Sequence, residues 1–198
     1  MKIIVIATGN QHKVYELSRM CRFPDLEFKS LADYREIPEA VEDGKNFQEN
    51  AEKKARHASR YLQEYCLADD SGLAVDALDG RPGIYSSRYA PTDEKRIAKL
   101  LDEMKPIPPE KRTARFICSM ALCSPRGDVI IRTGYCEGVI AEEPRGSNGF
   151  GYDPVFYLPE KGKTMAQLPP EEKNRISHRA NAAKLMAPEI QKLILKKD

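Results

Sequence analysis

Tryptophan is absent from this chain, histidine occurs three times, and no apolar run approaches the length that spans a bilayer. A membrane protein is therefore not expected. Disulfide and zinc frameworks are missing too. The five cysteines (Cys21, Cys66, Cys118, Cys123, Cys136) form no C-x-x-C pair and have no histidine at ligand spacing. Such an odd, scattered set in apolar contexts predicts reduced, buried thiols in a cytoplasmic protein. Charge of one sign is lacking as well: 32 Lys and Arg oppose 30 Asp and Glu, a net charge of +2. That balance gives no whole-protein attraction to nucleic acid or membrane, so any anion site has to be local. No signal peptide is expected, because Met1–Ala7 is too short for an apolar core and runs straight into a motif. Internal repeats and low-complexity segments are absent. The 198 residues suffice for one sizeable domain with a real interior.

What is present alternates strand and helix patterns. Ile3–Ala7 is a short β-branched run of the kind buried on both faces of a sheet. Thr8-Gly9-Asn10 breaks it, and Val14, Leu17 and Met20 or Cys21 then recur at helical spacing. Leu26–Ser30 reads as a second strand, and the acidic stretch 33–44, with Glu36, Glu39, Glu42 and Asp43, as a loop. Asn46 is placed as an N-cap with Glu49 at the capping-box position, opening a helix over Asn46–Tyr65. Cys66–Ala68 is then a strand that ends at Asp69-Asp70-Ser71-Gly72 in a tight turn. Thr92 or Asp93 caps a helix running through Met104. Arg115–Cys123 and Val129–Ile140 read as an antiparallel hairpin, with Gly138 as a bulge or bend. The tail Pro169–Lys197 is helical by pattern, kinked at Pro188. The expectation is an α/β fold: an elongated mixed sheet with flanking helices, one two-lobed domain over 1–198.

Four stretches carry chemistry. A strand–turn–helix at Thr8–Lys13 presents free N–H groups to an anion, and Lys13 suits a helix N-terminus only if a phosphate lies between them. With a single Gly and no Lys-Ser/Thr pair, the P-loop match is poor. Asp69 and Asp70 point to opposite sides of their strand, so one of them at most enters a given cleft, as a hard-cation ligand or a base. Asx-turn chemistry is the alternative. Gly146-Ser147-Asn148-Gly149-Phe150-Gly151-Tyr152-Asp153-Pro154, with three glycines, offers close backbone approach, a stacking ring and an acceptor, or is simply a turn entering the strand Val155–Leu158. Lys173, His178 and Arg179 form a basic cluster at the head of the last helical element. Phosphate seat, cation carboxylates and stacking aromatic together describe a nucleoside triphosphate site.

These stretches closely resemble the Ham1/inosine triphosphatase family. The likeness runs through Thr8-Gly9-Asn10-x-x-Lys13, Ala68-Asp69-Asp70-Ser71-Gly72-Leu73 and Pro82-Gly83-Ile84-Tyr85-Ser86. It continues through Gly149–Pro154 and ends in Ser177-His178-Arg179, in order over nearly the whole chain. The resemblance implies two lobes around a central cleft, a homodimer, and Mg²⁺-dependent hydrolysis of ITP, dITP or XTP to monophosphate and pyrophosphate. It implies Asp70 as base and Glu42 with Asp70 as metal ligands. Triphosphate contacts fall on Thr8, Gly9, Asn10, Gln11, His12, Lys13 and Ser71. The nucleobase pocket falls on Phe150, Gly151, Tyr152, Asp153, Lys173, His178 and Arg179, with the last two meeting a C6 carbonyl. The hairpin offers apolar surface for the dimer. The His178-Arg179 ending separates the chain from the related Maf-type pyrophosphatases. A nucleotide-binding sensor without turnover would need no base.

Overall fold

The computed structural model describes residues 2–20, 23, 25–34 and 37–195, with the side chains of Gln11, His12, Arg19 and Met20 outside the description. The readings placed on Cys21, Glu36 and Lys197, and on the side chains of Gln11, His12 and Met20, therefore lie outside the described residues. Seven strands form one sheet in the order β2-β1-β3-β4-β5-β6-β7. They are β1 (Lys2–Ile6), β2 (Leu26–Ser30), β3 (Tyr65–Val75), β4 (Thr113–Cys123), β5 (Val129–Ile140), β6 (Phe156–Leu158) and β7 (Lys163–Thr164). The helices are α1 (Gln11–Met20), α2 (Phe47–Leu62), α3 (Asp93–Met104), α4 (Pro170–Ile176) and α5 (His178–Leu195). β1 runs parallel to β2 and β3, whereas β5, β6 and β7 pair antiparallel, so the sheet is mixed as expected. No helix among the described residues is long and apolar enough to cross a membrane.

The chain divides into two compact units, one of Met1–Asp70, Cys118–Gly134 and Arg179–Asp198, the other of Ser71–Ile117 and Tyr135–His178. In the first, strand alternation sorts the core into two layers. Ile4, Ile6 and Leu67 pack with Leu17 of α1 and Ala182, Met186 and Ile190 of α5. Val5, Ala7, Cys66 and Ala68 pack with Ala51, Ala55 and Ala58 of α2. Each large side chain fully buried in this way stabilises by roughly 1.5–3 kcal/mol. In the second unit, Leu73 and Val75 meet Leu100 and Met104 of α3 with Phe116, Ile140 and Phe156.

Several boundaries differ from the sequence reading. β3 does not turn at Asp69-Asp70-Ser71-Gly72 but runs on to Val75; Lys13 of α1 and Asn50 of α2 satisfy its carboxylates, so no Asx turn is required. α2 stops at Leu62, since Gln63 takes the left-handed conformation (φ 55°) and its N–H caps onto Ser59 O; Tyr65 opens β3. Asn46 caps α2 through the Glu49 N–H, but the Glu49 carboxylate accepts from the Lys45 N–H instead of closing the capping box. The tail breaks at Ser177 (ψ 156°) while Pro188 stays inside α5. β6 begins at Phe156, after a 3₁₀ turn over Asp153–Val155. Gly138 is required by packing: a Cβ there would lie 2.6 Å from the Tyr157 carbonyl oxygen. The aliphatic start of β5 is largely covered within the chain, Ile130 against one core layer and Val129 and Ile131 against the other.

Candidate active site

The same alternation that sorts the core delivers the two acids to different partners. Asp69 follows Leu67 onto the α1/α5 side, and Asp70 follows Cys66 and Ala68 onto the α2 side. Asp69 is fully buried. Its Oδ2 lies 3.0 Å from Lys13 Nζ and 3.3 Å from Arg179 Nη2, and Arg179 Nη1 pairs with Glu16, a buried acid on α1. Burial alone would push the Asp69 carboxyl up. Lys13 and Arg179, with Lys54 adding to them, outweigh it and hold the group well below the usual carboxylate range. Lys13, Asp69, Arg179 and Glu16 thus form a quartet of two basic and two acidic side chains, with Asp69, Arg179 and Glu16 buried and Lys13 partly so.

Asp70 is less enclosed. Asn50 Nδ2 donates to its Oδ2 at 3.0 Å, and Lys54 Nζ lies 3.9 Å from its Oδ1 and 3.5 Å from Glu42 Oε1. Burial pushes the Asp70 carboxyl up; Lys54, Asn50 and Lys13 pull it down without cancelling the rise, and Glu42 adds to it. Asn50 Oδ1 accepts from the Gly44 N–H at 2.8 Å, which ties the loop carrying Glu42 to the residue that holds Asp70. A side chain at Gly44 would sit 2.6 Å from that oxygen, so the close approach needs glycine. A cavity of about 290 Å³ is lined here by Thr8, Gly9, Ile37, Glu42, Lys54 and His57. Thr8 Oγ1 accepts from the Asn10 N–H, and Asn10 Oδ1 from the Lys13 N–H, so the two side chains shape the turn into α1.

Among the described residues no three His, Cys, Asp or Glu side chains gather as a metal cage. Glu42 and Asp70 supply two carboxylates joined through one ammonium. Two carboxylates completed by phosphate oxygens is the donor set Mg²⁺ ordinarily takes, so these residues fit the ion in the presence of a phosphorylated ligand.

The second unit holds the other predicted residues. Lys173 Nζ donates to Asp153 Oδ2 at 2.6 Å, both groups buried, and lies 4.7 Å from the centroid of the Phe150 ring. The Phe150 N–H donates to the same oxygen at 2.9 Å. Gly149 has φ +78°, and a Cβ there would run into the Asp153 carboxylate. His178 stacks on Phe116 with centroids 4.8 Å apart. Tyr152, expected in the pocket, is buried in the core of this unit, and its hydroxyl donates to the Ser86 carbonyl at 2.9 Å. Ser71 is half-buried in β3. Arg179, expected beside His178 at a C6 carbonyl, has its guanidinium on Glu16 and Asp69 in the first unit.

The sequence model of the Ham1 family matches residues 4–189. The chain belongs to the Ham1 family. This Ham1 chain is 55% identical to the dITP/XTP pyrophosphatase of Geobacillus kaustophilus, over 92% of this chain and 91% of that one. It is 49% identical to the dITP/XTP pyrophosphatase of Geobacter sulfurreducens, over 94% and 95% of the two. Its fold superposes on the Ham1 protein from Coxiella burnetii with a TM-score of 0.90 at 41% identity, covering 97% of this chain and 100% of that one. The Staphylococcus aureus Ham1 protein gives 0.88 at 40% identity, with the same coverage.

Sequence reasoning missed Asn50, Lys54 and Glu16. Asn50 is a fully buried amide beside the Ala51/Ala55/Ala58 stripe, and Lys54 stands one helical turn further along the same side. Glu16 is a buried acid on the same turn as the fully buried Leu17. Polar residues on the inward side of an amphipathic helix were the available signal.

Proposed function

We propose that this chain hydrolyses the triphosphates of non-standard purines, dITP and XTP foremost and ITP with them, to monophosphate and pyrophosphate in the cytoplasm. The observation that carries the reading is Asp70, a buried carboxylate with a raised pKa beside Glu42 and Lys54. A buried acid pushed toward neutrality is what general-base chemistry recruits. The names borne by the two curated relatives described above support the substrate class.

In the reaction an oxygen of water bonds to the α-phosphorus, the bond from that phosphorus to the bridging oxygen breaks, and pyrophosphate leaves. Asp70 takes the water's proton, and Asn50, donating to its Oδ2, fixes the carboxylate's orientation. A positioned base of this kind contributes about 10²–10⁴-fold in rate. Thr8, Gly9, Asn10, Gln11, His12, Lys13 and Ser71 receive the phosphates. Lys13 has three donors, of which Asp69 occupies one, leaving two for the leaving group. Glu42 and Asp70 would hold Mg²⁺, and the bound ion would supply positive charge against that developing on the phosphates.

Phe150 with Gly151, Asp153, Lys173 and His178 takes the base. Lys173 and His178 donate to a C6 carbonyl, which hypoxanthine and xanthine have and adenine lacks, and a donor left facing the adenine amino group costs roughly 1–3 kcal/mol. Arg179 acts at one remove, by fixing Asp69 and hence Lys13. A homodimer completes the proposal, with half-exposed Tyr135 on β5 as a surface offered to it. Sedimentation showing only a 22.4 kDa species overturns that part.

The test is a panel of dITP, XTP, ITP, dGTP and dATP with Mg²⁺, assayed separately for pyrophosphate and orthophosphate. Pyrophosphate from the first three, far above dATP, is expected. Orthophosphate as the first product overturns the reading.

A further inference from the structure

The glycine loop is gripped by two carboxylates of different origin. From within, Asp153 Oδ2 accepts from the Phe150 N–H. From outside, Asp93 Oδ2, on the first residue of α3, accepts from the next amide, Gly151 N–H, at 2.8 Å. The two peptides that flank Phe150 are thereby fixed, and with them the direction of its ring. The loop needs such anchoring, because Gly149 (φ +78°) and Gly151 (φ +63°) have many other backbone conformations open to them. Packing does not supply it on this side. A cavity of about 450 Å³ lies between the loop and α3, walled by Ile97, Leu101, Pro144 and Pro154.

Asp93 is held in turn. Its Oδ1 accepts from Arg96 Nη1 at 2.5 Å, and Arg96 Nε donates to the Ala90 carbonyl at 2.9 Å. Asp93 therefore stands between two donors and needs two acceptor oxygens. An amide has one, and can satisfy the loop or Arg96 but not both.

We propose that Asp93 is a positioning residue for base recognition: by anchoring the Gly151 amide it aims the Phe150 ring at the base without touching substrate. The proposal rests on the reading of Phe150–Asp153 as the base pocket. Asp93 also occupies the first turn of α3, where any acid favours the helix dipole. Glu94 shares that turn and is exposed, so it isolates the helix effect.

The experiment measures KM and kcat for dITP, with melting temperatures, in Asp93→Ala, Asp93→Asn, Glu94→Gln, Phe150→Ala and the Asp93→Ala/Phe150→Ala double variant. Asp93→Ala is expected to raise KM about tenfold, the worth of one charge-assisted hydrogen bond, with kcat nearly unchanged. Asp93→Asn falls between it and the wild type, and carries the test if the alanine variant does not fold. Glu94→Gln lowers the melting temperature with KM unmoved. The double variant is no worse than Phe150→Ala alone, because the anchor acts through the ring. A wild-type KM in both Asp93 variants beside an impaired Phe150→Ala overturns this proposal alone. So does a KM rise that adds in full to that of Phe150→Ala, or one matched by Glu94→Gln. A wild-type KM in Phe150→Ala overturns the base-pocket reading and this proposal with it.

Discussion

Asp69 and Asp70 are neighbours on one strand, yet their surroundings give them opposite chemistry. On the α1/α5 side, Lys13 and Arg179 keep Asp69 ionised and Glu16 balances them. On the α2 side, Asp70 meets an amide, a lysine at 3.9 Å and a second acid, and its affinity for a proton rises. The pleat alone separates the two environments. A strand that places consecutive acids on its two faces thus provides a fixed counter-charge and a proton acceptor from one sequence step. The lesson is that identical side chains are assigned by what the flanking helices bring to each face.

The largest way to break the contrast is Asp69→Asn. It leaves the buried Arg179 and the partly buried Lys13 with half of their counter-charge, and removing one partner of a buried ion pair costs about 3–5 kcal/mol. Denaturant unfolding should show that loss at neutral pH. The same variant sharpens the contrast in acid. Because the Asp69 pKa is lowered on folding, its stabilisation is present above the ordinary Asp value of 3.8 and is lost as pH falls below it. The wild type should therefore lose stability more steeply below about pH 4 than Asp69→Asn does. Equal slopes would show that Asp69 is not held ionised. Glu16→Gln is smaller, about 1–3 kcal/mol, since the amide still accepts one hydrogen bond from Arg179. A melting temperature equal to wild type would remove Glu16 from the quartet. The smallest effect is on the other face. Lys54→Met deletes the charge that most opposes the rise at Asp70, so its pKa climbs further. The acid limb of kcat/KM, where the base is lost to protonation as pH falls, should move up by about one unit. A limb that moves down would place the base elsewhere.

Much of this was legible in the sequence, for identifiable reasons. β1, α1, β2, α3 and the turn at Ser124–Asp128 follow from β-branched runs, 3.6-residue spacing and turn residues, all local signals. The opposite orientation of Asp69 and Asp70 follows from strand geometry. The continuation of β3 through Asp69-Asp70-Ser71-Gly72 was not legible, because the residues that make a turn unnecessary, Lys13, Asn50 and Arg179, are distant in sequence. The carboxylate partners of Arg179 were hidden for the same reason: adjacency to His178 suggested a shared duty, while its partner Glu16 lies on α1, far away in sequence. The bond from the Tyr152 hydroxyl to Ser86 was not legible either, because the two residues are far apart in sequence.

The most direct test is the rate of pyrophosphate release from dITP by Asp70→Asn, measured beside its melting temperature. The variant keeps the shape of the side chain and removes a charge that burial disfavours, so it should melt at or above the wild-type temperature. It cannot take a proton from water, and turnover should fall at least about a hundredfold. A folded Asp70→Asn protein that releases pyrophosphate at close to the wild-type rate would contradict the assignment of the base.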